Sequence, residues 1–337
     1  MVSTRRQTQQ ANKAEARAMV VPTSLFLPTE GRLDSFLSVS CLAKRLAHGV
    51  ESLHVNFEDI GISISKLHQC LSQTKNVTDL ELFLRHVPII GWARLLRDLR
   101  LPRLRYLRSN APHSILEGFL DRHPHLIYLS VGHCTKRRNS CPLGAAPLSK
   151  LSDLTGPIAC LSSIVANKPL TYVAASCNSP RDLSVSFRHF ITDLSSSTSA
   201  ITRLAVPFDA GDLHFVRRIA IAMPHLVLLQ LTERPRQQQA LRFGHAWGNM
   251  HNWAGDLALM AKLRILGLRT SASLATSIAD ELALVVAWAA LHYSLTHIAL
   301  SYSFGSPQHV LNYWDFIHGE WVNTRGVVDP VFDFFFM

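Results

Sequence analysis

Residues 104–131 read LRYLRSNAPHSILEGFLDRHPHLIYLSV. Leu104 and Leu107 stand three positions apart, and Leu126, Leu129 and Val131 repeat that spacing 22 residues later. Side chains alternate along a strand, so Leu129 and Val131 share one face while Tyr128 and Ser130 point to the other. Between the two copies Ile115, Leu116, Phe119 and Leu120 recur at helical spacing, and the stretch reads as strand, helix, strand. Pro102 and Pro124, each two residues ahead of a copy, end the preceding helix and set the turn into the strand.

Working outward, ten copies open at Val50, Val77, Leu104, Leu126, Leu148, Leu170, Ile201, Leu226, Leu263 and Leu295. Each has an apolar residue three positions on, and all but two have another after two more. An L-x-x-L-x-L unit returning every ~20–30 residues marks a leucine-rich-repeat solenoid, which grows by stacking one strand per unit. The expected fold is therefore α/β: a leucine-rich-repeat-like solenoid of about ten irregular repeats, with a curved parallel sheet inside and helices outside. Residues 1–21 read as a disordered basic tail. Residues 22–49 read as a short helical N-terminal cap, 50–305 as the solenoid, and 306–337 as a C-terminal cap rich in aromatics, with Tyr313, Trp314, Phe316 and Trp321 closing the core. The apolar end, Val331 to Met337, either packs into that cap or leads into further chain.

The bulk properties narrow the function classes. The chain of 337 residues is 47% hydrophobic with a mean hydropathy of +0.12. Its longest apolar run, Leu282 to Leu291, is well short of the ~20 residues that span a bilayer, so it reads as a buried helix. Arg5, Arg6, Lys13 and Arg17 lie in an N-terminus with no apolar core, which suits a solvated tail rather than a secretory signal. Six cysteines without a secretory address point to reduced thiols and to the cytoplasm or nucleus. The net charge of +10 favours polyanions or acidic proteins as partners.

When the leucines face the core, the residues beside them face the concave surface. Those positions hold Asp79, Glu81 and Phe83, then Tyr106 and Arg108, Tyr128 and Ser130, Lys150 and Ser152, Tyr172 and Ala174. Tyr106, Tyr128, Lys150 and Tyr172 recur every 22 residues; with Arg108 they are the candidate partner-binding residues, because tyrosine brings large amphipathic contact area at low entropic cost. The competing reading is that tyrosine simply suits a strand. Arg85, Arg94, Arg97, Arg100, Arg103, Arg105 and Arg108 form a basic cluster, either a solvated rim or a surface for acidic peptides, phosphate or RNA. Lys136, Arg137 and Arg138 make a shorter basic run.

His123, His125, His133, Cys134 and Cys141 have the residue types of a zinc site. The repeat register speaks against one: His125 shares its offset with Arg103 and His225, and Cys134 shares with Asn178 the offset where a polar side chain turns inward to backbone groups. No metal and no cofactor is expected. No nucleophile elbow, zinc-protease, phosphate-loop, dinucleotide or kinase motif occurs, so the chain reads as non-enzymatic.

Leu42-Ala43-Lys44-Arg45-Leu46 through Val50–Phe57, and Leu151-Ser152-Asp153-Leu154-Thr155-Gly156-Pro157 followed by Lys168-Pro169-Leu170-Thr171, resemble the fungal F-box leucine-rich-repeat proteins, a likeness running over most of residues 40–325. In that family the repeats recognise a target while an N-terminal F-box docks on the adaptor of a cullin-type ubiquitin ligase. The resemblance implies a substrate receptor, or the remnant of one, with a protein target on the concave face; Arg108 and the basic net charge favour an acidic or phosphorylated target there. Leu27-Pro28-Thr29-Glu30 resembles the L-P-x-E that opens an F-box, but it stands about twenty residues before the first copy. That leaves the F-box truncated or absent, and the adaptor a partner only if the remnant works. The alternative expectation is a basic nucleic-acid-binding repeat scaffold, and neither reading involves a membrane.

Overall fold

A computed structural model describes residues 23–42, 44–58, 61–132, 134, 141–176, 187–209, 211–234, 250–270, 277–303 and 309–324. The chain divides into two units, residues 1–164 and 165–337.

The first unit runs β1 (Ser24–Leu27), α1 (Glu30–Leu42), α2 (Lys44–Gly49), β2 (Ser52–Phe57), α3 (Ile64–Gln73), β3 (Asp79–Leu84), α4 (Ile89–Leu96), β4 (Tyr106–Ser109), α5 (His113–Leu120) and β5 (Tyr128–Val131). A 3-10 turn, Pro142–Ala145, then leads to β6 (Asp153–Pro157) and α6 (Ile158–Ile164). The six strands pair in chain order, every pair parallel. Leu53, Val55, Leu80, Leu82, Leu107, Leu129 and Leu154 stack along the inner face and are fully buried or nearly so. Against them lie Leu67 and Leu71 of α3, Trp92, Leu95 and Leu96 of α4, and Leu116, Phe119 and Leu120 of α5. Each leucine withdrawn from water contributes about 1.5–3 kcal/mol, and a repeat has no other place to hide its apolar side than its neighbours.

Every rung opens in the same way. The carbonyl of Glu51 accepts from the N–H groups of both Thr78 and Asp79; that of Thr78 from Arg105 and Tyr106; that of Arg105 from Ile127 and Tyr128; that of Ile127 from Ser152 and Asp153. One residue before each opening sits the first apolar residue of the copy, its N–H bonded three residues back, as Leu104 to Leu101, Leu126 to His123 and Leu151 to Leu148. By this register the fifth copy is Leu151/Leu154, which corrects the expected Leu148/Leu151. Leu148, Leu151 and Leu154 are spaced three apart, so the pattern fits twice, and the backbone pairing of Leu129 with Leu154 decides between the fits.

A second correction lies at the start. The segment expected as a purely helical cap opens with β1, whose Leu25 and Leu27 pair with Leu53 and Val55 and whose Leu27 is buried. The first apolar offset of that copy falls on Pro22, so the full motif is not spelled out there.

The second unit runs β7 (Tyr172–Ser176), α7 (Phe187–Leu194), β8 (Arg203–Phe208), α8 (Phe215–Ala222), β9 (Leu228–Glu233), α9 (Met250–Ala258), β10 (Ile265–Arg269), α10 (Ile278–Ala289), β11 (His297–Ser303), β12 (His309–Ile317) and β13 (Glu320–Asn323). Strands β7 to β11 are parallel neighbours, whereas β12 and β13 turn back antiparallel. The core here is aromatic: Phe208 packs on Phe215 at 5.8 Å and on Trp253 at 6.1 Å, and Trp253 packs on Trp288 at 5.4 Å. The apolar run at 282–291 places Leu284, Val285 and Trp288 in this core. Among the described residues no helix is long and apolar enough to cross a membrane.

Among the four aromatics expected to close the core, Tyr313 and Trp314 are buried, while Phe316 and Trp321 pack on each other at 5.4 Å. Glu281 of α10 is wholly buried and accepts hydrogen bonds from Tyr302 Oη at 2.6 Å, from Asn312 Nδ2 at 2.7 Å and from Trp314 Nε1. Three donors from β11 and β12 thereby converge on one carboxylate. Residues 1–21 and the apolar end at 331–337 lie outside the described residues.

Glu281→Ala removes the buried acceptor that Tyr302, Asn312 and Trp314 share and is expected to cost at least about 3 kcal/mol, against about 1 kcal/mol for Tyr302→Phe, which removes one donor and keeps the packing. Urea unfolding of the two variants checks this; equal losses would show that the carboxylate does not organise the end of the unit.

Candidate functional site

The exposed face of the first unit's sheet is set by alternation. With Leu107 and Leu129 turned inward, Tyr106, Arg108 and Tyr128 turn out, and register places Tyr106 beside Tyr128. Their rings lie 6.4 Å apart at 36°, and the Arg108 guanidinium sits 5.5 Å from the Tyr128 ring centre, within reach of the cation–π attraction. On the preceding rungs His54 Nδ1 lies 3.0 Å from Glu81 Oε2, and His54 Nε2 lies 2.8 Å from Ser52 Oγ. Burial raises the Asp79 carboxyl above its ordinary range, partly offset by His54 and Arg108. On the following rung Asp153 pairs with Tyr128, and the Ser152 hydroxyl donates to the Asp153 carboxylate.

This arrangement departs from the expected ladder at one residue. Lys150 lies exposed in the turn ahead of β6, and Asp153 takes the rung it was assigned, as the shifted copy requires. Tyr172 belongs to the second unit, where it pairs with Arg203 and has that guanidinium 4.9 Å from its ring centre. The tyrosine–arginine pairing thus occurs in both units.

The arginine cluster divides among different elements. Arg94 is on α4, Arg97 caps its end, Arg103 and Arg105 lie in the turn before β4, and Arg108 is on the strand. Arg85, just after β3, pairs with Glu58 at 3.3 Å. Lys136, Arg137, Arg138, His133 and Asn178 lie outside the described residues.

The histidines and cysteines sort in a way the linear sequence does not show. His123 is buried and serves the backbone: Nδ1 lies 2.7 Å from the Phe119 carbonyl, and Nε2 accepts from the Leu101 N–H at 3.0 Å. The inward polar offset belongs to Asn110, which bonds both the N–H and the C=O of Leu84. Gly132 occupies the matching place in the next rung, so Cys134 lies two residues beyond it. Cys134 instead joins His113, Cys141 and Cys160, whose ligand atoms all lie within 4.8 Å of one another. His113, Cys141 and Cys160 are buried. The contact with the Cys160 thiol holds Cys141 below the usual thiol range, and the same contact together with burial pushes Cys160 up. Sequence reading missed this set because His113 and Cys160 come from repeats on either side of the Cys134–Cys141 segment. The signal that could have found them is the rung spacing, which brings neighbouring repeats into contact.

No protein-family model matches the chain, and no curated protein does. Among solved structures, it is similar to the leucine-rich repeat-containing protein LegL7 from Legionella pneumophila, with 17% identity, 85% of this chain and 92% of that chain covered, and a TM-score of 0.48. It is also similar to internalin C2 from Listeria monocytogenes, with 15% identity, 67% and 83% covered, and a TM-score of 0.36.

The bonding of His123 requires a neutral ring, since Nε2 must accept. Burial lowers its pKa from the ordinary 6.5, so in acid the unfolded chain binds the proton that the folded chain refuses. The stability from this residue is complete above about pH 6.5 and drains as pH falls toward the lowered folded value. Thermal unfolding at pH 7.5 and pH 5.5 should show a larger acid loss for the parent than for His123→Gln; an identical loss would place the acid sensitivity elsewhere.

Proposed function

We propose that this chain is a protein-interaction scaffold that holds a protein target along the exposed strand face of its first unit. The observation carrying this reading is the Tyr106–Tyr128 pair, with Arg108 over the second ring, framed by carboxylates on both sides. Rigid aromatics on paired strands give broad contact with little conformational entropy to lose, and the charges around them select the partner. Asp79 and Glu81 on β3 and Asp153 on β6 share the outward sheet face with Arg108 on β4, so carboxylates outnumber guanidinium groups there. A target with lysine or arginine opposite those carboxylates and one carboxylate or phosphate for Arg108 complements this face. Such a target is more basic than the acidic one expected from Arg108 and the net charge. Among the described residues the arginines are split among helix, turn and strand, which gives the nucleic-acid reading less support.

A receptor role in a cullin ligase rests on the resemblance at Leu27–Glu30. Those residues are the end of β1 and the start of α1, and Leu27 is buried in the first rung. They serve the repeat stack, so target binding is the better supported half of that role.

The test is quantitative affinity capture with the tagged full chain and with Tyr106→Ala/Tyr128→Ala. The double variant should keep its unfolding midpoint, since Tyr106 is 43% exposed, and lose at least about tenfold of one specific set of proteins, equivalent to about 1.4 kcal/mol. Undiminished capture of every protein would remove this face from the binding surface. A cullin adaptor among the captured proteins would support the receptor role.

A further inference from the structure

We propose that His113, Cys134, Cys141 and Cys160 form a tetrahedral site for a zinc ion that ties successive repeats of the first unit together. Cys3His is one of the usual four-ligand sets of closed structural zinc sites. Zinc–sulfur bonds of about 2.3 Å and zinc–nitrogen bonds of about 2.0–2.1 Å in a tetrahedron put nitrogen and sulfur about 3.5 Å apart. His113 Nδ1 lies 3.2 Å from Cys141 Sγ and 3.7 Å from Cys160 Sγ, on either side of that value.

The histidine is also oriented for the task. Its Nε2 lies 3.1 Å from the Gly132 carbonyl oxygen. A carbonyl only accepts, so Nε2 carries the proton and Nδ1 keeps its lone pair for a metal. A ligating histidine whose other ring nitrogen donates to a backbone carbonyl is the usual outer-shell arrangement of zinc sites. His113 is the first residue of α5, Cys141 immediately precedes the 3-10 turn, and Cys160 is in α6. Close packing brings the last two together: a Cβ on Gly144 would stand 2.7 Å from the Ser163 carbonyl oxygen, so a larger residue there would push the 3-10 turn off α6.

Among the described residues, the return path between β5 and β6 carries a four-residue 3-10 turn, where the other rungs of this unit have α-helices. Small or incomplete cores are commonly held by a metal, whose binding energy becomes folding energy. Three thiols give up their protons on binding, leaving a zinc–trithiolate centre of net charge −1.

The experiment is metal analysis of the full chain expressed with added zinc, together with cobalt(II) titration of the stripped chain. Equimolar zinc is expected in the parent and in Cys41→Ser, which changes an exposed cysteine elsewhere, with loss to background in Cys141→Ser and Cys160→Ser. Cobalt should give the red d–d absorption of tetrahedral thiolate coordination, and His113→Cys should retain binding with a shifted spectrum. If the serine variants do not fold, the cobalt spectrum of the parent decides alone. A folded parent without the thiolate–cobalt band, or zinc retained in full by Cys141→Ser, would overturn the proposal.

Discussion

The backbone hydrogen bonds that open each rung are the constraint on which everything else here depends. One carbonyl per repeat takes two N–H groups from the next, and this fixes where each strand begins to within a residue. A slip of one position would turn Leu107 and Leu129 out and Tyr106 and Tyr128 in. The inner leucine stack and the outer aromatic face are therefore one consequence of one register. The same register sets how far along each following helix a given side chain falls, and so which side chains from neighbouring repeats can meet.

The two units meet the requirement of a closed core differently. The first uses short aliphatic rungs, polar bridges such as Asn110 to Leu84 and the buried His123. The second uses large rings, from Phe208 through Trp253 to Trp288, and finishes with two antiparallel strands, the first of which is bonded to the buried Glu281 of α10 through Asn312 and Trp314. A parallel stack leaves an unpaired strand edge at its end, and the reversal at β12 pairs the outer edge of β11 within the chain itself.

The repeats were legible because leucine at fixed offsets is both the signal and the physical cause: the residues that spell the motif are the residues that fill the core. Tyr106 and Tyr128 were legible as neighbours from spacing alone. Lys150 was misplaced because Leu148, Leu151 and Leu154 satisfy the motif in two frames, and only backbone pairing separates them. β1 escaped notice because Pro22 stands where its first apolar residue belongs. The cysteine–histidine cluster was invisible for a different reason. Its ligands are scattered from position 113 to 160, and only the stacking of repeats makes distant residues adjacent. Cys134 and Cys141 have other histidines nearer in sequence, of which His123 is committed to backbone groups.

The cluster also depends on the corrected frame. Were β6 to open three residues earlier, Cys160 would move by about 4.5 Å along its helix, at 1.5 Å per residue, and leave the other ligands. X-ray absorption at the zinc edge of the purified full chain therefore tests register and site together. The account predicts a shell of three sulfur atoms at about 2.3 Å and one nitrogen at about 2.0 Å. A shell of oxygen and nitrogen alone, or no bound zinc in the folded chain, would contradict it.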